Sequence, residues 1–194
     1  MAGPLGRNGA CGIVPELSGE DFHSGTIRVE GAHPSKLMRN RDHSMKLRIP
    51  PLIQFLGFGA CEWVLAKTLP ELAFSLQALT IGGGLLVLIG ALILSSSVFA
   101  FVRNKTTVNP VSPENANTLV TDGLYRYSRN PMYVGMASIL WGGAFLLQNI
   151  VALCGPIGFV ITMTYLQIKQ EEEALKAVFG EAYEAYRKKT RRWL

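Results

Sequence analysis

The sequence predicts an all-α integral membrane protein, with four transmembrane helices and a C-terminal amphipathic helix on the cytoplasmic side. Two stretches contain no Asp, Glu, Lys or Arg, one of 31 residues (72–102) and one of 38 residues (131–168). A helix needs about 20 such residues to cross the hydrocarbon core of a bilayer. Charged residues make up only 17% of the chain, whereas a soluble domain carries about 25%. These stretches therefore belong in a membrane.

Residues 1–44 differ in composition from the rest of the chain. They contain seven glycines, three prolines and all three histidines (His23, His33 and His43), without a periodic apolar pattern. Such a composition does not form a packed core. We predict a disordered or dispensable extension followed by one membrane domain over 45–194. Either Met45 is the natural start or residues 1–44 are a dispensable tail; a regulatory arm is the alternative.

Helix-breaking and polar residues separate the predicted spans, which are 49–66, 79–102, 131–147 and 150–168. Pro70 ends the first helix, because proline lacks the amide donor that a helix interior needs. At about 1.5 Å per residue, the run from 131 is too long for one span, so it is divided at Gln148-Asn149. Gly155-Pro156 is a competing break or a kink within the fourth span.

Small residues occur at helix-contact spacing in two of the spans. The pairs are Ala91 with Ser95 and Ser138 with Gly142. Small side chains let helices approach closely in a membrane, so these pairs are candidate contact points. Ordinary tolerance of small residues in membrane helices is an equally good explanation.

The basic residues fix the predicted orientation. Seven Lys or Arg precede residue 49, four lie between 103 and 130, and seven follow 168, while only Lys67 falls on the opposite side. Basic residues are enriched on the cytoplasmic side of membrane proteins, so both termini are predicted to be cytoplasmic. The net charge of +5 is therefore a topology signal. No basic stretch interleaved with polar and aromatic residues indicates nucleic-acid binding.

Residues 169–189 predict an amphipathic helix after the fourth span. Its apolar residues recur at helical spacing, at Leu175, Val178, Phe179, Ala182, Tyr183 and Tyr186. Glu171, Glu172 and Glu173 fall in its first turns, where the helix dipole favours negative charge. Gly180 weakens the helix near its middle.

Histidine chemistry is excluded from the predicted membrane part, and the cysteines give no indication of a metal site. No histidine follows Met45, so a histidine base or a histidine-ligated metal is not available there. Cys11, Cys61 and Cys154 are far apart in sequence and lack the spacing of a metal site. We therefore predict no metal.

Two polar clusters meet the membrane on the predicted cytoplasmic face. The first is the 103–130 loop with its Asn130-Pro131 helix start, and the second is the glutamate run after the fourth span. From the residues alone, structural explanations lead, because Asn is a good N-cap, Pro suits the first helical position and glutamates suit a first turn. Glu62 is unusual inside a span, near Lys67 or facing the bundle, and receives no catalytic role.

The combination of motifs resembles the isoprenylcysteine carboxyl methyltransferase superfamily, which includes phospholipid N-methyltransferases and bacterial relatives of unassigned substrate. Residues 119–135 read LVTDGLYRYSRNPMYVG, and after two spans come the glutamate run, Phe179-Gly180, Tyr183, Tyr186 and Arg192. The resemblance extends from about residue 100 to the end, with two motifs in order around a helical hairpin. It implies a bacterial-type member in the inner membrane.

The resemblance implies a binding site for S-adenosyl-L-methionine. The residues implied to hold this cofactor are Asn117, Thr118, Leu119, Val120, Tyr125, Asn130, Pro131, Met132, Tyr133, Glu171 and Glu172. Gln167 and Arg192 are implied on the substrate side, and no residue is assigned a catalytic role. Asn130 replaces the family's histidine, and Gln167 replaces an arginine that lies close to the substrate carboxylate in the prenylcysteine enzymes.

The implied reaction is methyl transfer to a lipophilic or small acceptor at the bilayer surface. Methyl transfer requires aligned reactants and exclusion of water, and a carboxylate with a pKa near 4 arrives deprotonated. Carboxylate O-methylation or thiol S-methylation is therefore the leading prediction, although Gln167 lacks a charge to orient a carboxylate. The alternatives are phospholipid amine N-methylation and a non-catalytic membrane scaffold or small transporter.

Overall fold

The computed structural model describes residues 26–28, 49–70, 75–103 and 118–194. Its elements in chain order are strand β1 (Thr26–Arg28), helices α1 (Pro51–Thr68) and α2 (Gln77–Arg103), strand β2 (Thr118–Val120), a 3₁₀ turn (Gly123–Arg126), helix α3 (Pro131–Leu147), a 3₁₀ turn (Ile150–Leu153), helix α4 (Cys154–Thr162), a π-helical segment (Met163–Ile168) and helix α5 (Lys169–Lys189). The mostly helical prediction is confirmed. The predicted 1–44 extension lies outside the described residues except for β1.

A short β-ribbon departs from the all-α prediction. Strands β1 and β2 pair antiparallel, with Ile27 opposite Leu119 and Thr26 opposite Val120. Both strands carry β-branched residues, which suit extended backbone. Three-residue strands are too short to produce a periodic pattern, so the sequence gives no signal for them.

Two described helices are long and apolar enough to cross a membrane, Gln77–Ala100 and the continuous run Ile150–Lys189. Only 11% of the most apolar stretch of the first helix is buried inside the protein. Leu88 and Leu92, for example, are 57% and 59% exposed, so this apolar surface matches lipid and not a soluble core. Helix α3 is apolar, but its 17 residues make it shorter than the 18 residues required of a membrane-spanning helix. Helix α1 is long enough but is not among the helices apolar enough to cross a membrane. The first and third spans therefore stay predictions.

Helices α2 and α3 touch through glycines. A Cβ added to Gly90 would lie 2.7 Å from the backbone oxygen of Gly135, and one added to Gly142 would lie 2.6 Å from that of Gly83. Of the candidate contact points, Gly142 lies at this contact, whereas Ala91 and Ser95 are exposed, so ordinary tolerance of small residues explains that pair. The contacting residues of α2, Gly83 and Gly90, are seven positions apart. Because a glycine has only a hydrogen atom in place of a side chain, the two backbones can approach closely.

The break after α3 occurs at Gln148-Asn149, as predicted. Gln148 has a positive φ of 49°, and the Asn149 side chain accepts a hydrogen bond from the Val151 amide at 3.0 Å and donates to the Leu69 carbonyl at 2.8 Å. The second bond ties this turn to the end of α1. Pro156, the competing break, lies inside α4.

The core of the helical part lies between α1, α3 and α4. Phe159 is fully buried and meets Phe55 and Phe58 of α1 edge to face, with ring centroids 6.3 and 6.1 Å apart. Such edge-to-face pairs add stability beyond the area they bury. Tyr133 and Ile168 complete the same cluster at the end nearest the polar loop, so this core positions the residues described next.

Candidate active site

A pocket of about 500 Å³, counted with its open mouth, lies where β2, the 3₁₀ turn, the loop before α3 and helix α5 converge. Its lining residues are Leu119, Val120, Tyr125, Arg129, Asn130, Glu171, Glu172, Leu175, Tyr183 and Tyr186. Its walls combine aliphatic and aromatic side chains with two carboxylates and one guanidinium.

The turn that holds Tyr125 depends on one glycine. Gly123 has a φ of +57°, a conformation that glycine adopts without a steric penalty. It directs the chain into the 3₁₀ turn, where the Tyr125 amide donates to the Asp122 carbonyl at 3.0 Å. The Tyr186 hydroxyl then donates to the Tyr125 carbonyl at 2.7 Å, which fixes the turn against α5.

Glu171 lies at the meeting point of two helical elements. Its Oε1 accepts a hydrogen bond from the Tyr133 hydroxyl at 2.7 Å and another from Gln167 Nε2 at 2.5 Å. Tyr133 comes from the first turn of α3, whereas Gln167 comes from the π-helical segment one turn before Glu171. The two motifs that the sequence separates by two helices therefore meet directly.

Glu172 is paired with two arginines. Its Oε1 accepts from Arg129 Nη2 at 2.8 Å and from Arg192 Nε at 3.0 Å, and its Oε2 accepts from Arg192 Nη2 at 2.7 Å. Burial alone would raise the pKa of Glu172, but the hydrogen bonds from Arg192 and Arg129 outweigh it and hold the pKa below its ordinary value. This carboxylate is therefore ionised at neutral pH.

The dipole explanation of the glutamate run is wrong. Ile168 already has helical backbone angles, with φ −60° and ψ −44°, and the helix continues from the π-helical segment without a free N-terminus. A helix dipole acts within the first turn of a free end. Glu171 and Glu172 are instead positioned by the side chains that they contact.

Asn130 precedes α3 but does not cap it with its side chain. Pro131 is the first residue of α3, as predicted, yet the Asn130 side chain makes no capping hydrogen bond. Its Nδ2 donates instead to the Arg192 carbonyl at 2.9 Å. The backbone angles of Asn130 (φ −129°, ψ 52°) differ from the extended conformation typical of an N-cap, and its amide is turned towards the C-terminal residues.

The pocket tyrosines stay neutral phenols. Burial, with smaller contributions from Tyr186 and Glu171, raises the pKa of Tyr125. Burial, followed by the charge of Glu172, raises the pKa of Tyr183 to about 12. These rings can offer their faces to a cation and donate hydrogen bonds, but they do not provide a phenolate base at neutral pH.

The structure brings together most of the residues that the sequence singles out. Leu119, Val120, Tyr125, Asn130, Glu171 and Glu172 line the pocket. Tyr133 is buried and contacts the pocket residue Glu171. Pro131 is buried at the start of α3, and Met132 packs against the helical core. Thr118 is described only as part of β2, and Asn117 lies outside the described residues.

Gln167 and Arg192, predicted on the substrate side, do not line this pocket. Gln167 is 2% exposed and donates to Glu171, and Arg192 pairs with Glu172. Sequence reasoning assigned no role to Arg129, whose side chain lines the pocket and is 9% exposed. No signal in the sequence identifies it, because its burial and its pairing with Glu172, 43 residues away, arise only from the packing of the chain.

Glu62 lies in the other half of the bundle. It is 4% exposed, and a Cβ added to Gly155 or Gly143 would lie 2.7 or 3.1 Å from its carboxylate oxygens. Of the two positions considered from the sequence, it therefore faces the bundle. Among the described residues, no group of three His, Cys, Asp or Glu could hold a metal ion.

Chemically, the pocket suits a ligand with both cationic and anionic groups. Glu171 and the tyrosine rings can stabilise a cation, since carboxylates and aromatic faces both attract positive charge. Arg129 Nε is buried without a hydrogen-bond partner within the described part of the chain, and an unpaired buried donor is costly unless a ligand satisfies it.

Comparison with known proteins adds a family match. A model of the phospholipid methyltransferase family matches residues 78–182. The protein-S-isoprenylcysteine O-methyltransferase of Dictyostelium discoideum is 28% identical over 166 residues, 84% of this chain and 67% of that protein. The human protein of the same name is 27% identical over 151 residues, 76% of this chain and 50% of that protein. The Schizosaccharomyces pombe protein is 43% identical over 72 residues, 37% of this chain.

The chain thus spans about half of the human relative and about two thirds of the Dictyostelium one. No solved structure matches it. The family match begins in α2 and ends in α5, so it includes the loop before α3 and both glutamates, Glu171 and Glu172, that line the pocket.

Proposed function

The chain belongs to the phospholipid methyltransferase family, and from this premise we propose that its pocket binds S-adenosyl-L-methionine and supports methyl transfer to an acceptor at the membrane surface. The observation that carries the proposal is the contact between Tyr133 and Glu171 at 2.7 Å. It joins the loop before α3 and the carboxylates of α5 around one pocket. One small molecule can therefore touch both motifs.

The residues present fit this cofactor. The buried Arg129 Nε lacks a partner among the described residues and can donate to the carboxylate of the amino-acid part. Glu171 and the faces of Tyr125 and Tyr183 line the same pocket, where they can stabilise its positive groups. Leu119 and Val120 provide an apolar wall for the adenosine.

The contribution of the chain is alignment and exclusion of water. When bound, S-adenosyl-L-methionine supplies a methyl group on a positively charged sulfur. The hydrogen bonds from Tyr133 and Gln167 fix the Glu171 carboxylate in one orientation, so the groups that face the cofactor do not need to reorganise during the reaction. The buried Tyr125 and Tyr186 close the pocket on the protein side. Holding two reactants in line in this way accounts for much of the acceleration that such a reaction needs.

We propose a lipophilic or small acceptor that is methylated on a carboxylate oxygen or a thiol sulfur. The relatives in the comparison are named protein-S-isoprenylcysteine O-methyltransferases, and a carboxylate needs no base because it is already ionised at neutral pH. The described residues that line the pocket include no histidine. The tyrosines of the pocket stay protonated, as the raised pKa of Tyr183 indicates, so they do not act as bases at neutral pH. These features favour an acceptor that arrives deprotonated.

N-methylation of a phospholipid amine is the second candidate. It is favoured by the description of the matched family. An amine with a pKa near 10 must lose a proton before it can be methylated. Glu171, the pocket carboxylate that contacts Tyr133, could receive that proton.

The proposed setting is the cytoplasmic face of a membrane, the inner membrane in a bacterium. With α1 and α3 as spans beside the two long apolar helices, four crossings bring both termini to the side of most basic residues. The pocket lies on that side, because the loop before α3 and the start of α5 both belong to it. A soluble cofactor then enters from the cytoplasm and the acceptor from the lipid.

The decisive experiment is direct binding of S-adenosyl-L-methionine to the purified protein in detergent. We expect saturable binding that is lost in Glu171→Gln and retained in Glu173→Gln, because Glu173 is an exposed neighbour on the same helix. Absence of saturable binding to the unaltered protein would contradict the proposal. Equal loss in both variants would contradict the role of Glu171.

Labelled cofactor and membranes then separate the acceptors. Label in an alkali-labile ester or a thioether is expected for the leading proposal, whereas label in lipid headgroups would establish N-methylation instead. Incorporation that also occurs in Glu171→Gln would show that the label does not come from this pocket.

A further inference from the structure

The last residues of the chain are joined to both sides of the pocket without lining it. Residues 190–194, the strap, follow α5 and contain the buried Thr190. The Arg129 amide donates to the Arg191 carbonyl at 2.9 Å, and Asn130 Nδ2 donates to the Arg192 carbonyl at 2.9 Å. Both donor residues line the pocket, so the strap determines where they lie.

The opposite side of the strap is attached to α5 and the π-helical segment. The Arg192 guanidinium contacts both oxygens of Glu172, at 3.0 and 2.7 Å, which is the two-point geometry that gives charged pairs their directionality. Trp193 Nε1 donates to Thr164 Oγ1 at 3.1 Å. The strap is therefore held on three sides.

Glu172 connects these attachments. The same carboxylate accepts from Arg129 of the loop and from Arg192 of the strap, and it is shielded, with 13% of its side chain exposed. Arg129 in turn donates through Nη1 to the carbonyls of Thr190 and Arg187. Removing the charge of Glu172 would leave two guanidinium groups facing each other with no anion between them.

We propose that the strap is a positioning element of the cofactor site, locked by Glu172 and Arg192, and that cofactor binding and strap docking stabilise each other. This inference rests on the proposed function. It assigns Glu172 and Arg192 a positioning role through Arg129 and Asn130, instead of direct contact with cofactor or substrate. The strap lies outside residues 78–182, to which the family match extends.

Limited digestion with trypsin tests strap docking without any cofactor. Arg191 and Lys189 are exposed, but cleavage needs the surrounding backbone to open locally. We expect Glu172→Gln to accelerate release of the strap by about tenfold, since a hydrogen bond to a charged group is lost. Glu173→Gln is the matched control. Equal cleavage rates in the two variants would overturn the proposal.

Binding measurements test the link to the cofactor. We expect Glu172→Gln and Arg192→Gln each to weaken S-adenosyl-L-methionine binding by about tenfold. The double variant should bind no more weakly than Glu172→Gln alone, because the Arg192 side chain acts through Glu172. Lys188→Gln, which alters an exposed side chain on α5 outside the strap, should bind normally. Additive losses would overturn the positioning role.

Protection by the cofactor completes the test. Saturating S-adenosyl-L-methionine should slow strap cleavage in the unaltered protein, because a ligand stabilises the state that binds it. Binding without protection would overturn the proposed coupling. If the unaltered protein binds no cofactor at all, the proposed function fails, and the cleavage rates of Glu172→Gln and Glu173→Gln still decide whether Glu172 holds the strap.

Discussion

Replacing Tyr133 with phenylalanine removes one hydroxyl that lies beside the pocket and leaves the ring in place. The ring is 5% exposed and belongs to the helical core, so Tyr133→Phe should keep the packing of α3. The lost group donates to Glu171 Oε1 at 2.7 Å. The variant therefore tests the orientation of Glu171 separately from the fold.

The size of the effect follows from the contacts that remain. A hydrogen bond to a charged group contributes about 1.5–3 kcal/mol. Gln167 Nε2 still donates to the same oxygen at 2.5 Å, so the carboxylate keeps one of its donors and the lower figure applies. About 1.5 kcal/mol corresponds to a roughly tenfold weaker affinity for S-adenosyl-L-methionine.

Isothermal titration calorimetry on the purified protein measures this affinity. The matched control is Tyr127→Phe, which removes the same hydroxyl from a side chain that is 73% exposed. An unchanged affinity in Tyr133→Phe, or an equal loss in both variants, would refute the argument that Glu171 is oriented by Tyr133. A lowered melting temperature with unchanged affinity would show that the hydroxyl serves only the fold.

The other predictions concern charge and packing. The folded pKa of Glu172 is depressed below the ordinary 4.5. The contribution of Glu172 to stability is therefore present above pH 4.5 and is lost as the pH falls through the folded pKa. Thermal unfolding should show this loss of stability in acid, and the loss should be smaller in Glu172→Gln. Gly142→Ala places a Cβ 2.6 Å from a backbone oxygen of α2 and should destabilise the protein by about 1–3 kcal/mol. The control Gly84→Ala, whose added Cβ meets nothing within 4 Å, should leave the stability unchanged. Denaturation in detergent measures the stability of both variants. Gln167→Arg inserts a guanidinium beside Glu171 in a 2% exposed position, and calorimetry should show weaker cofactor binding, not only an altered acceptor preference.

Gln167 illustrates a contact of the site that the sequence alone does not reveal. Its alignment with an arginine of the prenylcysteine enzymes implied a role towards the substrate. Because it lies one helical turn before Glu171, its side chain reaches that carboxylate first. The contact competes with any role at the mouth of the pocket, and only the three-dimensional arrangement reveals it.

The helices could be predicted closely because their signals are local. Runs without charge located α2 and α3, Pro131 located the start of α3, and Gln148-Asn149 located its end. Each signal depends on the preference of a few neighbouring residues for lipid, for helix or for a turn. The π-helical segment at Met163–Ile168 produced no such signal, since it differs from an α-helix by a single hydrogen-bonding register.

By itself, the sequence determined the helical membrane character of the chain, the order of its helices and the two motifs that identify its family. Tertiary structure decided which glycines bring α2 and α3 together and which partners each pocket residue holds. Arg129 and Glu172 are 43 residues apart, and Asn130 and the Arg192 carbonyl are 62 apart. Hydropathy and helix propensity act between neighbours along the chain, whereas hydrogen bonds and ion pairs depend on distances in space that only the packed helices fix.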